Sequence, residues 1–172
     1  MLQVPAWFER KFDSSSPVEL LPNLCARLRG TPVRLEELTR GVSFELLTRK
    51  PHGKWSAQEN AGHLADLEPL WLARVNDYAA GSTELTATDL QNRRTSEANH
   101  NARPLEEILS EFRSRREHLL HRANELDAAL FAKAIPHPRL KIPMTLMDHL
   151  HFVAEHDDHH LAHIWETTRE FR

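Results

Sequence analysis

Residues 145–168 read TLMDHLHFVAEHDDHHLAHIWETT, and they set the architecture expected of the chain. Thr145 with Asp148 three positions later is a box-like helix start, so a helix is expected from Thr145 to about Thr168. At roughly 100° per residue, Leu146, Leu150, Val153, Leu161 and Ile164 fall on one apolar stripe. His149, His156, His160 and His163 form a second stripe beside it. Asp157 falls within the apolar stripe, so a partner is expected for it, either near a metal site or as an arginine ion pair. Within this helix, HFVAEHDDHHLAH (151–163) holds five of the chain's twelve histidines. They lie inside a periodic segment and not in a terminal run, which excludes an expression tag. A solvated polar face and a metal site remain as readings.

Three more long helices are legible upstream. WSAQENAGHLADLEPLWLARVNDYAAG (55–81) opens on the capping box Ser56 and Glu59, repeats Leu64, Leu67, Trp71 and Val75 at helical spacing, and closes at Gly81. Trp71 is expected in the core, with a mild kink at Pro69. SSPVELLPNLCARLRG reads as a helix capped by Ser16, with Pro17 at its first position and Gly30 at its end. A separate short piece follows from Thr31 and Pro32 to Gly41. Pro104 opens LEEILSEFRSRREHLLHRANEL. Residues 82–102 and FAKAIPHPRLKIP (131–143) read as loops. Four long helices without a strand signal give an all-α fold, a four-helix bundle in a single domain over residues 1–172. Residues 1–15 form an N-terminal arm whose Trp7, Phe8 and Phe12 pack on it.

Composition narrows the function classes. The 172 residues are 40% apolar and carry a formal charge of −3, so no basic surface calls for nucleic acid. No run approaches a membrane span of about 20 apolar residues. Cys25 is the single cysteine, so no intrachain disulfide is possible and a cytoplasmic location is expected.

Two imidazoles four residues apart, His156 and His160, share a helix face and can converge on one ion. His159 is rotated further towards solvent. His63 sits between Ala61 and Leu64, where an unpaired imidazole is costly. It is either a satisfied core histidine or a third ligand from a neighbouring helix. Three histidines from two helices would leave open coordination positions, as catalytic sites do. Asp66, one turn beyond His63, is either a ligand-orienting or catalytic carboxylate or an exposed one. His52, His100, His118, His121 and His137 read as surface residues.

WSAQENAGHLADLE and HLHFVAEHDDHHLAHI together resemble the DinB-like superfamily, with its YfiT-type metal-dependent hydrolases. The first is similar to the family's W-S-x-x-E-x-x-x-H-L-x-D motif, the second to its last-helix H-x-x-x-H segment. The resemblance implies a DinB/YfiT-like bundle, a homodimer, and one divalent metal (zinc, nickel or iron) held by His63, His156 and His160. It gives Trp55, Ser56 and Glu59 structural roles, and places His163 where relatives often carry Gln. It also implies either a metal-dependent hydrolase or a transferase using a low-molecular-weight thiol on a small-molecule substrate, and its motif includes Asp66, whose position one turn beyond His63 makes it the catalytic candidate. The alternative is a non-enzymatic metal-binding bundle acting through protein partners. No nucleic-acid or membrane partner is expected. Metal binding through neutral imidazoles is expected to weaken as pH falls through about 6.5.

Overall fold

The computed structural model describes residues 4–12 and 16–169, with the His52 side chain outside the description. In chain order the helices are α1 (Leu21–Thr39), α2 (Phe44–Thr48), α3 (Ala57–Ala80), α4 (Arg93–Glu97), α5 (Leu105–Asn124) and α6 (Leu146–Thr168). A small hairpin, β1 (Ala134–Pro136) and β2 (Pro143–Thr145), leads into α6. The four long helices form the bundle. α3 packs on α5 and α6, and α1 packs on the same two, so α1 and α3 sit diagonally.

The caps expected on α3 and α6 hold. Ser56 accepts from the Glu59 amide at 3.0 Å while Glu59 accepts from the Ser56 amide at 2.9 Å. Thr145 and Asp148 form the same reciprocal box on α6. Gly81 ends α3 at φ 70, a left-handed conformation that suits glycine.

Three expectations are corrected. The first helix does not end at Gly30. It begins at Leu21, with Pro22 in its first turn, and runs unbroken through Gly30 and Pro32 to Thr39. Ser16 does not cap it: a 3-10 turn, Val18–Leu20, lies between. Pro32 has no N–H, which leaves the Leu28 carbonyl one turn earlier without its helical donor. Arg116 on α5 supplies that donor, with Nη1 3.0 Å from Leu28 O. Pro69 in α3 frees the Ala65 carbonyl in the same way, and Arg115 Nη1 donates to it at 2.8 Å. Adjacent arginines of α5 thus repair both proline gaps.

The second correction concerns the loop at 131–143. Ala134 pairs with Thr145, Ile135 with Met144 and Pro136 with Pro143. Prolines are tolerated because both strands are edge strands, and the Pro136 carbonyl accepts from the Leu85 amide at 3.1 Å. Ile135 and Met144 are buried, and the Tyr78 hydroxyl donates to the Met144 carbonyl at 2.7 Å, fastening the hairpin to α3. Third, residues 82–102 contain α4 and a 3-10 turn at His100–Ala102. Asn92 and Asn99, at φ 50 and 48, make the turns that flank α4, and asparagine tolerates that region better than most residues.

A polar layer divides the core in two. Trp71, 3% exposed, packs with Leu28, Val75, Leu119 and Val153 on one side. Leu35, Ala65, Phe112 and Leu161 pack on the other. Between these groups each long helix contributes one polar side chain: Thr31, Glu68, Arg116 and Asp157, all buried. Asp157 therefore has the arginine partner, with Arg116 Nη1 at 2.6 Å. In the arm, Trp7 and Phe12 pack on the bundle, whereas Phe8 points outward at 62% exposure beneath the Arg139 guanidinium. Residues 1–3 and 13–15 of the expected arm lie outside the described residues.

Candidate metal centre

Helical spacing stacks His156 and His160 on the face of α6 that meets α3, where His63 stands one and a half turns in. The His63 ring centroid is 4.7 Å from that of His160 and 5.3 Å from that of His156. One donor nitrogen from each of the three lies within 4.8 Å of the others, and all three residues are buried. His156 Nε2 and His160 Nε2 are 3.2 Å apart. Two nitrogens bound at about 2.1 Å to one tetrahedral ion stand roughly 3.4 Å apart, so the donor set fits a divalent metal.

The remaining ring nitrogens fix the tautomers of His63 and His160, whereas His156 Nδ1 is buried without a partner. Asn60 donates through Nδ2 to the Ser56 carbonyl at 2.8 Å, which turns its Oδ1 towards His160 Nδ1, also at 2.8 Å. His160 therefore carries its proton on Nδ1 and keeps a lone pair on Nε2. Thr95 Oγ1 donates to Asp66 Oδ2 at 2.9 Å, so it accepts from His63 Nδ1–H at 2.9 Å. His63 Nε2 is likewise left unprotonated. Such outer partners orient imidazoles and raise their basicity as ligands. Burial, opposed by the charge of Asp66, pushes the His63 ring down to about 4. Burial also holds His156 and His160 well below the usual imidazole value, with neighbouring histidines adding to the effect. All three rings are neutral at pH 7, as coordination requires.

Asp66 does not meet the three rings directly. It accepts from Thr95 and from His100 Nε2–H at 2.8 Å, with Arg94 3.4 Å away. Burial alone would raise its carboxyl, but these hydrogen bonds and charges hold it below its ordinary value. It stands behind His63, joined to it through Thr95, and is not among the residues that line the cavity. His100 is a correction: expected at the surface, it is 1% exposed and seated against Gly62. A Cβ on residue 62 would collide with the His100 ring. Gly62→Ala is therefore expected to push His100 off Asp66 and to cost roughly 1–3 kcal/mol, read as a lower urea midpoint. An unchanged midpoint would show that the ring has room to move.

His159 and His137 are also corrections, each buried. The arm covers His159: the Trp7 ring lies 5.4 Å from it and 5.0 Å, edge-on, from His156. His118 and His121 are exposed as expected, and His163 is half-buried beside Glu166. His149 is fully buried near Trp71, two turns before His156 and outside the cluster. Trp55 does more than dock its helix, since its ring lies 4.7 Å from His63. Asn60 and Thr95 were missed from the sequence. Asn60, one turn before His63 on the same face, had a readable position; Thr95 reaches the site only through the turns of α4.

A cavity of about 1300 Å³ opens on the three histidines, walled by Trp7, Trp55, Trp71 and Phe152. The DinB superfamily profile matches residues 27–164 of the chain. The chain belongs to the DinB superfamily. A solved structure of YfiT from Bacillus subtilis, described as "a probable metal-dependent hydrolase with an unusual four-helix bundle topology", superposes with a TM-score of 0.83. The two share 21% identity over 94% of this chain and 93% of that one, which establishes a common fold. No curated protein matches the chain. Among the described residues, no helix is long and apolar enough to cross a membrane.

Proposed function

We propose that this DinB superfamily member is a metal-dependent enzyme in which His63, His156 and His160 hold one divalent ion, either zinc, nickel or iron. The observation that carries the reading is the convergence of three buried, neutral imidazoles, two with their far nitrogens tied to Thr95 and Asn60. Neutral imidazoles suit all three metals. Such an ion supplies Lewis acidity and lowers the pKa of a water or thiol at its open position. The protein's own part is to orient the three rings, to wall the cavity with aromatic side chains and to anchor His63 through Thr95 and Asp66. The substrate is a small molecule that enters the cavity, and the reaction is hydrolysis or thiol transfer. The family resemblance supports a homodimer, which sedimentation at micromolar concentration checks, and the single cysteine suits a cytoplasmic location.

The test is elemental analysis of untagged protein, followed by a screen of hydrolysable esters and amides, and of thiols with electrophiles, against metal-loaded and chelated samples. One metal per chain with chelation-sensitive turnover is the expected result. Metal well below one per chain in every preparation would overturn the reading. His159→Ala should leave the metal content unchanged, because that ring packs on Trp7 and His163 and lies outside the donor cluster. Loss of metal from this variant would misassign the ligands.

A further inference from the structure

Besides the unpartnered Nδ1 atoms of His156 and His159, two buried hydrogen-bond donors in residues that line the cavity have no acceptor. Arg74 of α3 is 1% exposed and lines the cavity. Its Nε donates to the Thr86 carbonyl at 2.9 Å, but Nη1 has no partner. Among the described residues no carboxylate forms an ion pair with it. Arg116 shows what a buried guanidinium requires in this same fold: two carboxylates and a backbone carbonyl. Arg74 has only the last. Burial pulls it down to about 10, which still leaves it charged at pH 7.

His137 follows β1 and is also 1% exposed in the cavity lining. Its Nδ1 accepts from the Arg139 and Leu140 amides, both at 3.2 Å. Burial and then the charge of Arg74 push the ring down to about 4, so it is neutral at pH 7. A neutral ring that accepts at Nδ1 carries its proton on Nε2. That Nε2–H has no partner. Leaving one such donor unmatched costs free energy, and leaving an unpaired cation beside it costs more. Arg139 is a further positive group in the cavity lining.

The recess is close to the histidines. The Trp71 ring centroid is 5.5 Å from Arg74 Cζ and 5.5 Å from the His156 ring. One indole separates the two ends.

We propose that Arg74 and His137 bind an oxyanionic group of the molecule that occupies the cavity, with its reacting end at His63, His156 and His160. This deepens the reading of the cavity as a substrate site, and it assigns the substrate class: an anion with an apolar body that lies along Trp71. An oxyanion offers two acceptors, one for the guanidinium and one for the imidazole N–H.

The experiment is calorimetric titration of the full chain with 3-phenylpropionate, with its neutral amide, and with inorganic phosphate as competitor. Each is run on metal-loaded and on chelated protein. The carboxylate is expected to bind at least about tenfold more tightly than the amide in both samples. Arg74→Met should abolish the difference, and His137→Phe should reduce it. Competition by phosphate would extend the recess to oxyanions in general, and its absence would confine it to carboxylates; both outcomes uphold the proposal. If Arg74→Met fails to fold, Arg74→Lys takes its place, and a weaker preference is expected because an ammonium lacks the planar fork. Equal binding of acid and amide would overturn the proposal. So would a preference that survives at Arg74→Met but vanishes on chelation, because the carboxylate would then sit on the metal. A preference that persists in protein found to bind no metal would keep the recess and sink only the metal assignment.

Discussion

Replacing His160 with alanine is expected to strip the protein of metal, with elemental analysis at pH 7.5 reading well under one ion per chain against one for wild type. The substitution removes one of three donors and leaves Asn60 Oδ1 without its partner. Asn60→Leu provides the comparison, because it keeps the imidazole and removes only the group that orients it. Loss of such an outer partner typically weakens affinity by about 10–100-fold, and His160→Ala should exceed that range. Equal losses in the two variants would mean that His160 does not touch the ion.

The pH dependence separates buried ligands from exposed ones. The sequence led us to expect weakening near pH 6.5. In the fold, burial holds His63 at about 4 and the other two rings well below their usual value. Proton competition therefore sets in nearer pH 4. The metal-free protein behaves differently. Its unfolded chain binds protons on these histidines from about pH 6.5 downward while the folded chain does not, so its stability falls as pH drops from about 6.5 towards 4. A metal-affinity midpoint close to 6.5 would contradict the burial of the site.

Local chemistry made much of this legible in advance. The two capping boxes fixed the starts of α3 and α6, and the spacing of four between His156 and His160 put both on one face. His63 could be singled out because an imidazole among apolar neighbours needs a partner. The errors have a common origin in contacts made across the chain. Thr31, Pro32 and Gly30 carry the signature of one helix ending and another beginning, and only a guanidinium 88 residues away makes the continuous helix viable. His100 and His137 sit in polar, proline-rich or turn-rich segments that look solvent-exposed, yet the fold turns those segments against α3 and α6. His159 points away from the triad as the helical wheel requires, and it is buried because the arm lays Trp7 over it.

The largest stability change is expected at Arg116. This side chain is 1% exposed and joins all four long helices. Nη1 reaches Asp157 Oδ2 of α6 at 2.6 Å and Leu28 O of α1 at 3.0 Å, and Nη2 reaches Glu68 Oε1 of α3 at 2.6 Å. Thr31 completes the layer, donating to Asp157 Oδ2 at 2.8 Å. Burial, its largest influence, pushes the Glu68 carboxyl up against the pull of Arg116, so this carboxylate depends on its partner to stay charged. Arg116→Ala leaves two buried carboxylates without a cation and a carbonyl without a donor. Breaking a buried pair from one side costs about 3–5 kcal/mol, and chemical denaturation should show a loss at the upper end of that range. Two companion variants separate the contributions. Replacing Arg116, Glu68 and Asp157 together with Met, Gln and Asn removes the stranded charges and should recover much of the loss. Pro32→Ala restores a helical N–H to the Leu28 carbonyl, so Arg116→Ala should cost less in that background than in wild type. A single-variant loss below about 1 kcal/mol would mean that water, not Arg116, satisfies the layer, and that the division of the core is not held by these charges.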